Sequence, residues 1–382
     1  MKLGILCTMI NGFGRRGYYN SQEIGLGRAL ARKGHEVMIY KGIDPSEKEE
    51  KVQVEKNLTI WYLPMKHLGA HGFMDCKYLD PQLKALFCFG DQQIFLPHVY
   101  RWCRRRRIPF VAYVGTAHSL DSNFKSKVMN ALFAAGTLRI YKKNPVLAKT
   151  SAAKEELRQL GVPHAVIAPV GLDNAVLKKN IPADEKMRLR KEHGFEADDV
   201  ILCNVSRLSW EKRPLDGQPY HVSNPKEAMD HGVAMIHQEL NPILDMSVYE
   251  NIFVGREIRK NGLEKEVKIY PNVPYEKMWE IYEMSDYYLN MNKGEIFGMA
   301  IMEAVYYKTS VAAIRALGPS VTLKDMKGHK LCENDDEMAE WITGPYPSEK
   351  DLQESSEKMA ATFTWDRCAD AFLQASSEKS SR

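Results

Sequence analysis

The stretch Asp286-Tyr-Tyr-Leu-Asn-Met-Asn-Lys-Gly294, continued by EIFGMAIME over Glu295–Glu303, decides how the chain is read. Tyr287 to Met291 is an apolar, aromatic run of the kind that forms a buried parallel strand. Gly294 then marks a turn into a helix that begins near Gly298. A loop and a helix N-terminus at the carboxyl end of a strand is the place where open α/β sheets bind ligands. The free amides of Gly298, Met299 and Ala300 would donate toward a phosphate in that crevice. Glu295 precedes the helix and Glu303 lies about two turns beyond it. One carboxylate can therefore face what lies in front of the helix, while the other reaches hydroxyls alongside it.

A carboxylate next to a bound phosphate is electrostatically unfavourable unless the ligand also supplies hydroxyl donors or cationic character. A nucleotide sugar supplies both. Two surface glutamates flanking a core helix is the plainer alternative for the same spacing. The whole chain, at 382 residues, is long enough for two domains, each with a real core. Its 44% hydrophobic and 27% charged residues are an ordinary soluble composition. The start, MKLGILCTMI, has a short apolar run without a small-residue cleavage site, and reads as a first strand and not a signal peptide. No run approaches the roughly 18 apolar residues of a spanning helix. Seven cysteines without a C-x-x-C pair argue for reduced thiols in a cytoplasmic setting, and against structural zinc. No metal-ligand cluster stands out either.

A formal charge of +4 is too slight to imply nucleic acid as a partner. The positive charge is concentrated locally: Arg101, Arg104, Arg105, Arg106 and Arg107 crowd beside Trp102. Such a patch suits peripheral contact with anionic headgroups at the inner face of a membrane. A solvated helix end whose cations complement the dipole is the plainer account and the favoured one.

The first third alternates short apolar runs with helical stretches, the pattern of a parallel sheet. Lys2 to Met9 reads as a strand, Ser21 to Lys33 as a helix closed by Gly34, and Glu36 to Tyr40 as a second strand. Between the first two sits Gly12-Phe13-Gly14-Arg15-Arg16-Gly17, which matches G-x-G-x-x-G. A dinucleotide-binding oxidoreductase would also place an acid at the end of the second strand, but that strand ends Tyr40-Lys41-Gly42. Gly12 and Gly14 therefore read as a flexible cleft loop touching a phosphate or the acceptor, or as a plain strand-to-helix turn. Further strands are expected at Leu58–Leu63, Leu83–Phe89, Pro109–Val114 and Pro145–Lys149, with a helix over Ala152–Leu160. Val200–Val205 is the next strand. Ser206-Arg207-Leu208-Ser209-Trp210-Glu211-Lys212 follows it, and Arg207 and Lys212 are fixed cations suited to a diphosphate.

Glu-x7-Glu around Phe297-Gly298, together with Arg207-Leu208 and Lys212 earlier in the chain, resembles the fingerprints of the retaining GT-B glycosyltransferases of family four. The resemblance implies two Rossmann-like doubly wound α/β domains facing across a cleft, with a C-terminal helix crossing back to the first. It implies residues 1–170 as the acceptor-side domain, 171–362 as the nucleotide-sugar domain, and 363–382 as crossover helix and tail. Gly171-Leu172-Asp173 is similar to the family's Gly-hydrophobic-Asp after the last strand of the first domain. Trp365 would anchor the crossover helix, which is expected to run to about Gln374, with a disordered polar tail from Ser376. By the same resemblance Glu303 holds ribose hydroxyls, Glu295 holds the donor sugar, and Arg207 and Lys212 neutralise the diphosphate. His118, after the strand ending at Val114, corresponds to a cleft histidine that hydrogen-bonds a sugar hydroxyl; an exposed loop histidine without a task is the alternative. His71 is a weaker cleft candidate. The donor is then a UDP- or GDP-sugar, the acceptor a glycan or a lipid-linked hydroxyl, and neither cofactor nor metal is required.

Residues 216–257 do not belong to this pattern. DGQPYHVSNPKEAMDHGVAMIHQELNPILDMSVYENIFVGRE resembles the ATP-binding subunits of sugar-importing ABC transporters around their Gln-loop, here His237-Gln238-Glu239. The chain has no G-x-x-x-x-G-K-[ST] loop to cradle a triphosphate, so ATP hydrolysis is not expected. A chimera is the expectation, with an α-β-α piece of one α/β protein in place of its counterpart in another. A folded but catalytically impaired chimera is the alternative to an active transferase, and an ATP-binding module the more distant one.

Overall fold

A computed structural model describes residues 1–10, 22–117, 124–173, 176–205, 268, 270 and 273–380. In chain order the first sheet contains β1 (Lys2–Cys7), β2 (Glu36–Ile43), β3 (Glu50–Glu55), β4 (Leu58–Pro64), β7 (Ala85–Phe89), β8 (Phe110–Val114), β9 (Val146–Ala148) and β10 (Val166–Ile167). A separate hairpin is made by β5 (His67–Leu68) and β6 (His71–Gly72). The sheet order is β10-β9-β8-β7-β1-β2-β4-β3, parallel throughout except where β3 pairs antiparallel with β4. Every residue of β7 and β8 is buried, which is why ALFCF and FVAYV are unbroken apolar runs and not alternating ones. Helices α1 (Gln22–Arg32), α2 (Leu96–Arg105), α3 (Phe124–Ala135), α4 (Thr137–Tyr141) and α5 (Ser151–Gln159) connect these strands.

The second sheet has the order β11-β12-β13-β14, all parallel, from β11 (Leu202–Cys203), β12 (Tyr287–Asn290), β13 (Ser310–Ile314) and β14 (Lys330–Cys332). Its helices are α6 (Glu185–Glu192), α7 (Met278–Met284), α8 (Met299–Tyr306), α9 (Leu317–Thr322), α10 (Asp335–Thr343), α11 (Glu349–Thr362) and α12 (Trp365–Ser380). The expected strand over Val200–Val205 is paired only at Leu202 and Cys203, and Val200 is 64% exposed. The α-β-α piece expected over 216–257 lies outside the described residues.

The chain passes between the sheets twice, and the two passages run side by side. Leu172 N donates to Phe363 O at 2.9 Å, and Leu172 forms a parallel bridge with Thr364. Gly171 has no space for a side chain, since a Cβ there would lie 2.0 Å from Trp365 N. Arg28 of α1 donates to the buried Asp173 carboxylate at 2.6 Å and so ties this passage to the first sheet.

From Trp365, α12 returns across the first sheet, as expected of a crossover helix. Trp365 is 1% exposed and lies over Gly25 of α1, where a Cβ would stand 2.1 Å from its Nε1. Phe372 meets Phe87 edge-on at 5.2 Å, and Arg32–Asp366 and Lys33–Asp370 add ion pairs at 3.2 and 2.8 Å. The expectation of a disordered tail from Ser376 is corrected: α12 continues to Ser380, and Ser376 is itself buried with its hydroxyl donating to Leu373 O at 2.9 Å. Serines at the end of a helix can satisfy their hydroxyls on carbonyls one turn back, which composition alone does not show.

Candidate functional site

Side-chain amides fold the loop after β12 back on itself. Asn290 Oδ1 accepts from Asn292 N at 3.0 Å, and Asn292 Oδ1 accepts from Gly294 N at 3.0 Å, two successive Asx turns. The Asn292 amide then donates to Glu295 Oε2 at 3.1 Å and fixes that carboxylate at the carboxyl end of the strand. Gly298 follows with φ +84, in the left-handed region, and a Cβ there would lie 2.8 Å from Ile301 Cδ1. No side chain caps α8, so the first amides of the helix, those of Met299 and Ala300, keep no intrahelical acceptor. The loop after β13 is locked to the same turn. Gly318 N donates to Glu295 O at 2.8 Å, and a Cβ on Gly318 would meet Phe297 N at 2.6 Å.

Glu303, on the inner face of α8, is 7% exposed. Its Oε2 accepts from Tyr282 Oη at 2.9 Å and its Oε1 from Tyr275 Oη at 3.2 Å. Val176, Leu177, Trp279 and Tyr307 complete an aromatic pocket around it. Burial pushes this carboxyl up to about 7, against the lowering effect of the two phenols. A carboxylate carries about four acceptor sites, of which the phenols use two, and the space left beside it, about 10 Å³, is that of about one water. The tyrosines had no place in the sequence reading, because nothing in their spacing distinguishes them from core aromatics.

Residues at the carboxyl ends of β9, β12 and β13 line one cavity of about 720 Å³ between the two sheets. Just after β9, Lys149 donates to Asp91 Oδ2 at 2.6 Å across the faces of Phe89 and Tyr113. Asp91 Oδ1 also accepts from the amides of Gly115 and Thr116. This largely buried pair knits the carboxyl ends of β7, β8 and β9 together, leaving neither charge unpartnered. Sequence reasoning missed it, since Asp91 and Lys149 are 58 residues apart.

Of the candidates taken from the sequence, Glu295, Gly298, Met299, Ala300 and Glu303 are brought together on one turn and helix. Gly12, Gly14, His118, Arg207 and Lys212 lie outside the described residues. Val205, which precedes the Arg207 segment, accepts from Tyr288 Oη at 3.4 Å and so sits beside β12. His71 lies in β6 and bridges Met9. Arg101, Arg104, Arg105, Arg106 and Arg107 are all exposed at the end of α2, with Arg106 stacked over Trp102 at 4.7 Å. Among the described residues no group of three or more His, Cys, Asp or Glu is placed to hold a metal ion.

Residues 250–358, which include this turn and helix, match the family model described as Glycosyl transferases group 1. The fold is shared along nearly the full length of solved glycosyltransferase structures. Sucrose-phosphate synthase from Thermosynechococcus elongatus superposes with a TM-score of 0.69 at 14% identity, covering 99% of this chain and 98% of that one. HepE from Anabaena, solved in complex with UDP, gives 0.62 at 15% identity over 100% of both chains. The architecture is thus GT-B, and the match to the group 1 model falls within its second sheet.

A different similarity is local. The ribose import ATP-binding protein RbsA of Rhodopirellula baltica is 56% identical over 57 residues, 15% of this chain and 11% of that protein. RbsA 2 of Escherichia coli is 27% identical over 121 residues, 31% of this chain and 24% of that protein. The chain thus spans between about a tenth and a quarter of the length of these relatives.

Proposed function

We propose that the protein transfers a glycosyl group from a UDP- or GDP-sugar to a hydroxyl of a glycan or lipid-linked acceptor, with retention at the anomeric carbon. The observation that carries this reading is the placement of Glu295 and Glu303 on the two sides of an uncapped, glycine-started helix at the carboxyl end of β12. The helix start offers amides to a phosphate, Glu295 offers a fixed acceptor for sugar hydroxyls, and Glu303 offers one for ribose. Arg207 and Lys212 are assigned the departing diphosphate, and His118 the acceptor side. With cations and amides taking that charge, the reaction is proposed to need no metal; turnover that survives exhaustive chelation supports this, and turnover abolished by it and restored by magnesium contradicts it. Contact with a membrane surface is proposed to run through the exposed arginines at the end of α2, a cluster of cations suited to anionic headgroups.

A thermal-shift panel of UDP-, GDP- and ADP-sugars tests the donor class. A ligand at a hundred times its dissociation constant adds about 2.7 kcal/mol, enough to register plainly. Stabilisation by none of the three classes would remove the reading.

The local identity to import ATP-binding proteins favours a second reading, a folded chimera that binds donor without turnover. Stabilisation by a nucleotide sugar without release of nucleotide in the presence of acceptors would select it. ATP binding that depends on Gln238 would instead indicate a nucleotide-binding module of the importer type.

A further inference from the structure

Glu303, which the proposed reaction assigns to ribose, is closed off by its own surroundings. The pocket around it leaves about 10 Å³, room for about one water and not for a pentose ring. A nucleotide can therefore reach the carboxyl only where a side chain of that pocket yields. Two phenols hold the carboxyl, and they are carried by very different pieces of backbone.

Tyr282, in α7, is 1% exposed. Its ring stacks on Tyr307 at 5.9 Å with the planes 11° apart and meets Tyr288 edge-on at 6.2 Å, while its carbonyl accepts from Thr309 Oγ1 at 2.9 Å. Moving it would open a close-packed core. Tyr275 belongs instead to the single 3-10 turn Tyr275–Lys277, which has no side-chain cap and buries none of its residues. Its ring is half-buried, and its bond to Glu303 Oε1, 3.2 Å, is beyond the roughly 2.5–3.0 Å usual between a hydroxyl and an oxygen. The weaker of the two bonds is thus made by the residue that can leave.

We propose that Tyr275 stands in for the ribose: its hydroxyl satisfies Oε1 of Glu303 in the free protein, and the ribose diol of an entering nucleotide displaces it. The proposal rests on the transferase reading and deepens it. A buried carboxyl oxygen left without a donor is costly, so Oε1 needs a hydroxyl in both states. The exchange replaces a phenol hydroxyl by a ribose hydroxyl, with Tyr282 keeping Oε2 throughout. Tyr275 therefore competes with the nucleotide, and the apparent affinity is the intrinsic one multiplied by the fraction of molecules whose turn is open.

Calorimetric titration of the full chain with UDP and with GDP, in wild type and Tyr275→Phe, tests this, alongside urea denaturation of both proteins with and without nucleotide at one saturating concentration. The variant loses the hydroxyl that must be displaced and keeps the ring. It is expected to bind the nucleotide about three- to tenfold more tightly than wild type. Its denaturation midpoint is expected to lie below that of wild type without nucleotide and level with it at saturation, since only the free protein uses the hydroxyl. Equal affinity would overturn the proposal, as would weaker binding, which would make Tyr275 a contact of the bound nucleotide. Either result leaves the transferase reading standing. Failure of wild type and variant alike to bind UDP or GDP would remove both.

Discussion

Tyr282 donates its phenolic proton to Oε2 of Glu303 across 2.9 Å, and the carboxyl that receives it is almost wholly out of water. The residue proposed to hold the ribose is therefore already held, by Tyr282 beneath it and by Tyr275 at 3.2 Å. A donor entering this pocket adds hydroxyls to a carboxyl that its surroundings keep close to neutral charge, so the pocket is preorganised at some cost to stability.

That cost has a sign. Glu303 titrates near 7 in the folded chain against an ordinary 4.5, so between these values the folded state binds the extra proton. Stability is therefore greatest below about 4.5 and is lost as pH rises through 7, by up to about 3 kcal/mol. Glu303→Gln is expected to be more stable than wild type at pH 8, to converge with it near pH 4.5, and to bind UDP about tenfold more weakly. Urea denaturation at both pH values, with UDP titration, checks all three. Unchanged stability at pH 8 would mean that the carboxyl is not desolvated as described.

His329 acts in the opposite direction. Burial holds its imidazole down at about 4 against an ordinary 6.5, with Nδ1 accepting from Val311 N at 3.0 Å and Nε2 shielded without a partner. Here the unfolded chain takes the proton first, so stability is full above 6.5 and is lost as pH falls through 4, by up to about 3 kcal/mol. The two groups nearly offset each other over pH 4.5–6.5. Replacing either alone should unmask the other: His329→Gln should gain stability toward acid, and Glu303→Gln should lose it. Parallel slopes in the two variants would contradict this assignment.

The crossover helix depends on a missing side chain. Gly25→Ala places a methyl group 2.1 Å from Trp365 Nε1, and the indole cannot retreat because Gly171 is closed against its backbone. A loss of about 1 to 3 kcal/mol is expected, as for other overpacked cores. Trp365→Phe in the same chain should recover part of it. Thermal denaturation of the single and double variants measures the coupling, and additive losses would show that the two positions do not touch.

Much of this fold is legible in the residues themselves. Unbroken apolar runs such as FVAYV mark strands buried on both faces, and Gly294, Gly298 and the two glutamates mark the turn and helix that follow β12. What was not legible has physical causes. β3 reads EKVQVE, and five of its six residues are exposed on an edge strand, so no hydrophobic signal distinguishes it from a loop. The Asp91–Lys149 pair and the tyrosines around Glu303 depend on contacts across long sequence separations.

Nucleotide release from UDP- and GDP-hexoses in wild type and Glu295→Gln, at saturating donor and with donor affinity measured alongside, tests the central claim most directly. Loss of a fixed group that acts on the reacting sugar should lower turnover by about 10² to 10³ while nucleotide binding persists. Equal turnover in the two proteins, with equal donor affinity, would contradict the account.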